Sequence, residues 1–213
     1  NSIAILNKID FNKIKKEKIY HPAKINFYSM SSGKICDLEL TKFNNEKIKY
    51  TTLQRSTLIE FLKDQIYIQH LRFGKRIKKV SEIKGKILIS FDDNTNDLVD
   101  YVIVADGIFS NTRYFFEKNK NKPQFKNAVV IRTILKSKYK LNIDEKNINL
   151  LMGSNTHLVV YPINNKSELN LVCIVREKNF DSDNIRSLID EKILSQNLNL
   201  KDLFQGDIKS WPL

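Results

Sequence analysis

Glycine is scarce in this chain of 213 residues: there are six, all isolated. No G-x-G occurs, so the turn that seats a dinucleotide pyrophosphate on a helix N-terminus is missing from these residues. Cysteine is scarcer still. Cys36 and Cys173 lie far apart with no CxxC or Cys/His cluster, which excludes a disulfide framework and a structural zinc site. Both are expected as small buried hydrophobes, and no metal is expected. No apolar run is long enough to cross a bilayer. The opening, Asn1-Ser-Ile-Ala-Ile-Leu-Asn-Lys8, has neither an initiator Met nor a signal-peptide pattern, so a cytoplasmic location is expected. It also has no capping residues or preceding strand, and reads as the interior of a longer product.

What is present is lysine and apolar side chains. The net charge is +12, but the lysines are spread through Ile/Asn/Lys-rich text along the whole length. No stretch interleaves basic residues with stacking aromatics, so a nucleic-acid groove is not expected. An apolar fraction of 41% suffices for a real core.

Apolar positions Ile3, Ile5, Leu6, Ile9, Phe11 and Ile14 predict a helix over 2–19 that ends in a lysine cluster. A strand–turn–strand follows over 24–40, with Gly33 in the tight turn. Leu58, Ile59, Leu62 and Ile66 mark one face of a second helix. Residues 77–83, 87–91 and 98–104 predict a β-meander whose last strand, Tyr101-Val-Ile-Val-Ala105, is apolar on both faces and so expected to be central. After a polar break at 118–122, strands are expected at 128–135, 148–152, 157–163 and 169–175. A final amphipathic helix is expected over 184–197.

Three strings carry more chemistry. In Asp100-Tyr-Val-Ile-Val-Ala-Asp-Gly-Ile-Phe-Ser-Asn-Thr-Arg113, an apolar strand runs into Asp106-Gly107, placing a carboxylate where open α/β sheets bind ligands, and Ser110 and Arg113 open a helical turn. A bare Asp-Gly is usually only a turn; the whole string is more specific. In Thr52-Leu-Gln-Arg-Ser-Thr-Leu-Ile-Glu-Phe-Leu62, Arg55 sits at a helix start, where a guanidinium and free N–H groups suit an anion. In Gly153-Ser-Asn-Thr-His-Leu-Val-Val-Tyr-Pro-Ile163, strand alternation sends His157, Val159 and Tyr161 to one face. A tyrosine or histidine in a sheet is more often core than catalytic, and His21 and His70 have no context that assigns them a role.

Together these strings resemble the class A flavoprotein monooxygenases typified by para-hydroxybenzoate and salicylate hydroxylases. Ala-Asp-Gly followed by Ser-x-x-Arg is similar to that family's Asp-Gly signature, and Arg55 lies about fifty residues before it, as the family's Arg-x-x-Leu segment does. His157-Leu-Val-Val-Tyr-Pro resembles a strand of its substrate-domain sheet. Ser210-Trp-Pro-Leu213 resembles the approach to a Gly-Asp motif that lies outside these residues, as does the Gly-rich motif.

The resemblance implies an α/β fold in which a partial Rossmann-like FAD-binding domain, 1–20 and 52–122, interleaves with a mixed or antiparallel substrate-binding sheet domain, 21–51 and 123–213. It assigns Arg55, Asp106, Gly107 and Arg113 to the cofactor FAD, and His157 and Tyr161 to the substrate, where either could hydrogen-bond or deprotonate a phenol. NAD(P)H would reduce the flavin, O2 would form a flavin hydroperoxide, and oxygen would pass to a small aromatic ring. These residues alone are expected to be inactive. A ubiquinone-pathway ring hydroxylase and a non-catalytic relative acting as a binding protein are the alternatives.

Overall fold

The computed structural model of the chain describes residues 2–45, 48–117, 122–136 and 143–213. The polar break expected at 118–122 lies, but for Lys122, outside them. Contacts gather into two compact units, Asn1–Gln65 with Phe125–Leu213, and Ile66–Gln124.

The first unit opens with α1, Ser2–Leu6, followed by short 3-10 turns, so the continuous helix expected over 2–19 does not form. Asp10 adopts φ +65°, a left-handed conformation that stops helix propagation, and Phe11 is instead buried edge-on against Phe61. Strands β1 (Ile19–Tyr20), β2 (Lys24–Ser29), β3 (Gly33–Glu39) and β4 (Thr52–Leu53) precede α2, Arg55–Asp64. The hairpin β2–β3 turns at Gly33, φ +86°. Cys36, on β3, is exposed, contrary to the expectation that both cysteines are buried. The reason is that β3 is an edge strand, hydrogen-bonded only to β2.

The second unit is a meander of β5 (Ile77–Ile83), β6 (Lys86–Phe91) and β7 (Asn96–Val99). Its first turn puts Lys84 and Gly85 both at positive φ, as a two-residue hairpin with the right twist demands. The strand expected to run to residue 104 stops at Val99, and 101–105 are neither strand nor buried. Tyr101 is 89% and Ile103 92% exposed. A strand apolar on both faces needs a neighbour on each side and layers above and below. None pairs with it among the described residues, so the central-strand expectation is overturned.

Strands β8 (Ala128–Lys136), β9 (Ile148–Gly153), β10 (Thr156–Ile163), β11 (Glu168–Arg176) and β12 (Lys209–Pro212) belong to the first unit. They form with β2 and β3 a seven-stranded sheet of order β12-β8-β11-β10-β9-β2-β3, antiparallel except where β2 meets β9. One face holds the core: Val129, Ile131, Leu158, Val160, Leu171 and Cys173 are sealed from solvent. They are covered by α3 (Ile185–Ile189), its π-helical continuation Asp190–Leu194 and the 3-10 turns Leu198–Phe204, through Ile189, Ile193, Leu203 and Phe204. Truncating Leu171 to alanine is expected to cost about 3 kcal/mol, from lost burial plus the cavity left behind, read as a lowered urea midpoint.

A buried polar network fixes the parallel join. Asn26 donates to Asp144 and Asn149, Asn147 donates to Asp144, and Asn147 Oδ1 accepts the backbone N–H of Ala23 and Lys24. Burial pushes the Asp144 carboxyl up, but hydrogen bonds from Asn147, the Lys146 N–H and Asn26 outweigh it and hold it below the ordinary aspartate value. A carboxyl depressed on folding stabilises the native state above its unfolded pKa, and that contribution fades as pH falls through the lower folded value. Stability is therefore expected to drop on acidification from neutral to about pH 3, and an Asp144→Asn variant to drop less. Equal slopes in pH-dependent urea unfolding would remove Asp144 from the account.

Candidate functional site

In the seven-stranded sheet, the face opposite the core is lightly covered. Register places His157, Val159 and Tyr161 of β10 on it, level with Ile174, Val172 and Asn170 of β11. Val130, Arg132 and Ile134 of β8 follow in the same rows. The alternation predicted for β10 is therefore observed: His157, Val159 and Tyr161 are half-buried while Thr156, Leu158 and Val160 point into the core. A groove of about 840 Å³ lies over this face, with Leu150, Met152, Val159 and Ile174 as an apolar floor, His157 among them and Arg176 at the rim.

Tyr161 sits at the other end of the strand. Burial raises its phenol above the ordinary value, Arg132 pulls it partly back, and Tyr50 raises it again. A phenol so shifted stays protonated at neutral pH and acts as a hydrogen-bond partner, which disfavours its use as a base.

Arg55 is the first residue of α2 and is exposed. The start of this helix is fastened to the β10–β11 hairpin: Thr52 Oγ1 donates to the Pro162 carbonyl, and Gln54 Nε2 to Glu168 Oε2 at 2.9 Å. Asn164 Nδ2 holds the same oxygen at 2.6 Å. Gln54 offers no side-chain cap, so the first N–H groups of α2 stay open beside a guanidinium.

Within the second unit, Asp106, Gly107 and Arg113 form one turn. Hydroxyls of Ser110 and Thr112 hydrogen-bond the Asp106 carboxylate and hold it below the ordinary range. Gly107 has φ +84° and nothing within 4 Å of where a Cβ would sit. The Arg113 backbone N–H donates to Ser110 Oγ at 3.0 Å, while its guanidinium pairs with Glu117 and lies over the Tyr114 ring.

Arg132, Asn170 and Tyr50 were not singled out from the sequence. The available signal was an arginine inside the otherwise apolar run Ala128-Val-Val-Ile-Arg-Thr-Ile-Leu135. Among the described residues no group of three or more His, Cys, Asp or Glu could hold a metal, and no helix is long and apolar enough to cross a membrane.

A family model described as squalene epoxidase matches residues 99–210, more than half of the chain. The FAD-dependent monooxygenase eupB of Phoma sp is 28% identical over 133 residues, 59% of this chain and 30% of that protein. Klebsiella pneumoniae HpxO, solved with FAD and uric acid, superposes with a TM-score of 0.81 at 15% identity, over 99% of this chain and 56% of its own. A salicylate hydroxylase substrate complex gives 0.77 at 15%, over 100% and 58%. The two solved structures share the fold, and the chain spans little more than half of their length and less of eupB.

Proposed function

The chain belongs to the squalene epoxidase family, and from that premise we propose that it carries the substrate-facing sheet and part of the cofactor-binding half of an FAD-dependent monooxygenase. Its substrate in this reading is a small phenolic aromatic, with NAD(P)H as reductant. The observation that carries the proposal is the open sheet face, with an apolar groove, a histidine within it and a protonated tyrosine beyond it, and a helix beginning at an exposed arginine is fastened to the hairpin of the same sheet.

The residues present fit FAD in part. Arg55 with the open N–H groups of α2 suits a phosphate, the empty Cβ position at Gly107 lets a ligand approach the backbone, and Asp106 is ionised and can accept from a hydroxyl. The pyrophosphate cradle itself has no counterpart, since no G-x-G is present. Bound FAD would supply O2 activation and oxygen transfer. The groove floor would keep water from the ring, Tyr161 would hold a substrate oxygen by hydrogen bonding, and His157 would be placed to take a phenolic proton.

Flavin uptake and NAD(P)H oxidation with and without phenols, measured on a longer product that contains these residues, test this. Arg55→Ala is expected to weaken FAD binding about tenfold or more, the worth of a charge-assisted hydrogen bond. The unpaired apolar segment 101–105 supports a second reading, a relative that kept the sheet and lost the flavin; no flavin uptake at any concentration would favour it.

A further inference from the structure

Two cavities in the first unit stand apart from the groove of the open sheet face and share no lining residue with it. One, of about 530 Å³, has Asn7, Asn12, Lys16, His21 and Asn165 in its wall. The other, of about 660 Å³, is walled by Leu6, Leu38, Leu40, Phe43, Leu53 and Leu58. They abut, because Ile3, Phe11, Lys49 and Thr51 line both.

Their linings differ in kind. The larger is mostly aliphatic and aromatic, whereas the smaller carries Lys16, Lys49 and His21 and no carboxylate. Lys13, Lys18, Lys24, Lys34 and Lys192 of the same unit pair with acids; among the described residues Lys16 and Lys49 do not. The His21 ring is oriented as well. Thr51 Oγ1 gives its proton to the Lys49 carbonyl at 2.8 Å, so toward His21 Nδ1, at 3.1 Å, it can only accept, and the Tyr50 carbonyl at 3.2 Å accepts there too. Nδ1 therefore carries the hydrogen, and Nε2 is the nitrogen left for a ligand.

Backbone strain marks the same wall. Asn164, Asn165 and Lys166 follow one another at φ +47°, +49° and +70°, a left-handed run that L residues rarely hold. It sets Asn165 in the wall of the smaller cavity and the Lys166 ammonium 5.4 Å from the centre of the Tyr20 ring, whose hydroxyl donates to the Lys146 carbonyl at 3.0 Å. Strain of this kind gathers where a fold clamps a ligand.

We propose that the two cavities hold one single-chain carboxylate of fatty-acid type, its head against Lys16, Lys49 and His21 and its hydrocarbon chain among the leucines and Phe43. Charge complementarity selects the head, since unpaired ammonium groups and amides with no acid beside them suit an anion. The apolar wall selects the chain, and both volumes fall in the range of ordinary ligand pockets. A neutral lipid would leave the lysines without a counter-ion, and a small anion would leave the larger cavity empty. The site is independent of the reading of the open sheet face.

Calorimetric titration of a longer product that contains these residues tests it, with butyrate, hexanoate and octanoate below their micelle-forming concentrations and octanol as the uncharged control. Affinity is expected to rise about threefold per added methylene, the worth of a buried CH2. Octanoate is expected to bind about fivefold tighter than octanol, as two solvent-screened ion pairs allow. A Lys16→Gln, Lys49→Gln double substitution is expected to remove that margin and leave octanol binding alone; both lysines are exposed, so folding is spared. Leu38→Trp fills the apolar cavity from the edge strand and is expected to flatten the chain-length series. No saturable binding, a margin over octanol that survives the double substitution, or a series untouched by Leu38→Trp overturns the proposal, the last by placing the chains on one of the exposed apolar segments.

Discussion

Asn149→Leu is expected to destabilise the first unit by about 3 kcal/mol, although leucine keeps the branched outline of asparagine and the site is fully buried. Asn149 Nδ2 donates to the Asp144 carbonyl at 2.8 Å and the Asn147 carbonyl at 3.1 Å, and its oxygen accepts from Asn26 at 3.3 Å. Leucine leaves both carbonyls and half of the Asn26 amide in a dry site, and each orphan costs on the order of 1–3 kcal/mol. The loss is not a simple sum, because the members polarise one another and the turn relaxes. The hydrophobic gain from leucine offsets part of it. Urea unfolding decides the matter: a variant within about 1 kcal/mol of the parent would mean that water replaces the amide and that the network is not the clamp described here.

The two thiols are expected to differ in reactivity by a factor of about a thousand or more toward a thiol-specific reagent at pH 8. Burial pushes the Cys173 thiol up to about 12, against a weak opposing hydrogen bond from Thr156. At pH 8 only about one molecule in 10⁴ would carry the thiolate there, and the reagent must also reach a side chain with no exposed surface. Cys36 stands in solvent on an edge strand. One equivalent should therefore react at once and the second only through opening of the sheet. In a Cys36→Ser variant the remaining reaction becomes a reporter of that opening, and its rate should rise with urea in step with unfolding. Equal rates for the two thiols in the folded protein would show that the core face of β11 is not sealed.

Much of the sheet was legible in the sequence because its strands are stitched to near neighbours and their two faces differ. The strands expected at 128–135, 148–152, 157–163 and 169–175 are all present within a residue or so at either end, and the alternation of β10 was read in the correct phase. What failed depended on partners that periodicity does not reveal. Residues 101–105 have the composition of a central strand and no strand beside them. The helix over 2–19 was undone by one left-handed residue, Asp10, and by the gain from lodging Phe11 against Phe61. Cys36 was read as core because cysteine usually is, while its strand turned out to be an edge. For the candidate site, motif resemblance singled out Arg55, Asp106 and Gly107, whereas the rows that set Arg132 and Asn170 beside Tyr161 become visible only once three strands are laid side by side. Their significance lies in register, which no single strand displays.

The parallel join of β2 to β9 also sets a timetable. Residue 24 must meet residue 147, and everything between them has to leave the ribosome first. At about 5–20 residues per second the interval is roughly 6–25 s. Through it the nascent β2–β3 hairpin has one edge of β2 unpaired, while the 66–124 unit, whose strands pair only with their successors, can form on its own within milliseconds or less of appearing. The first forty residues are therefore the stretch that chaperones would be expected to guard longest, and a synonymous pause placed before residue 148 would lengthen that exposure without altering a single side chain.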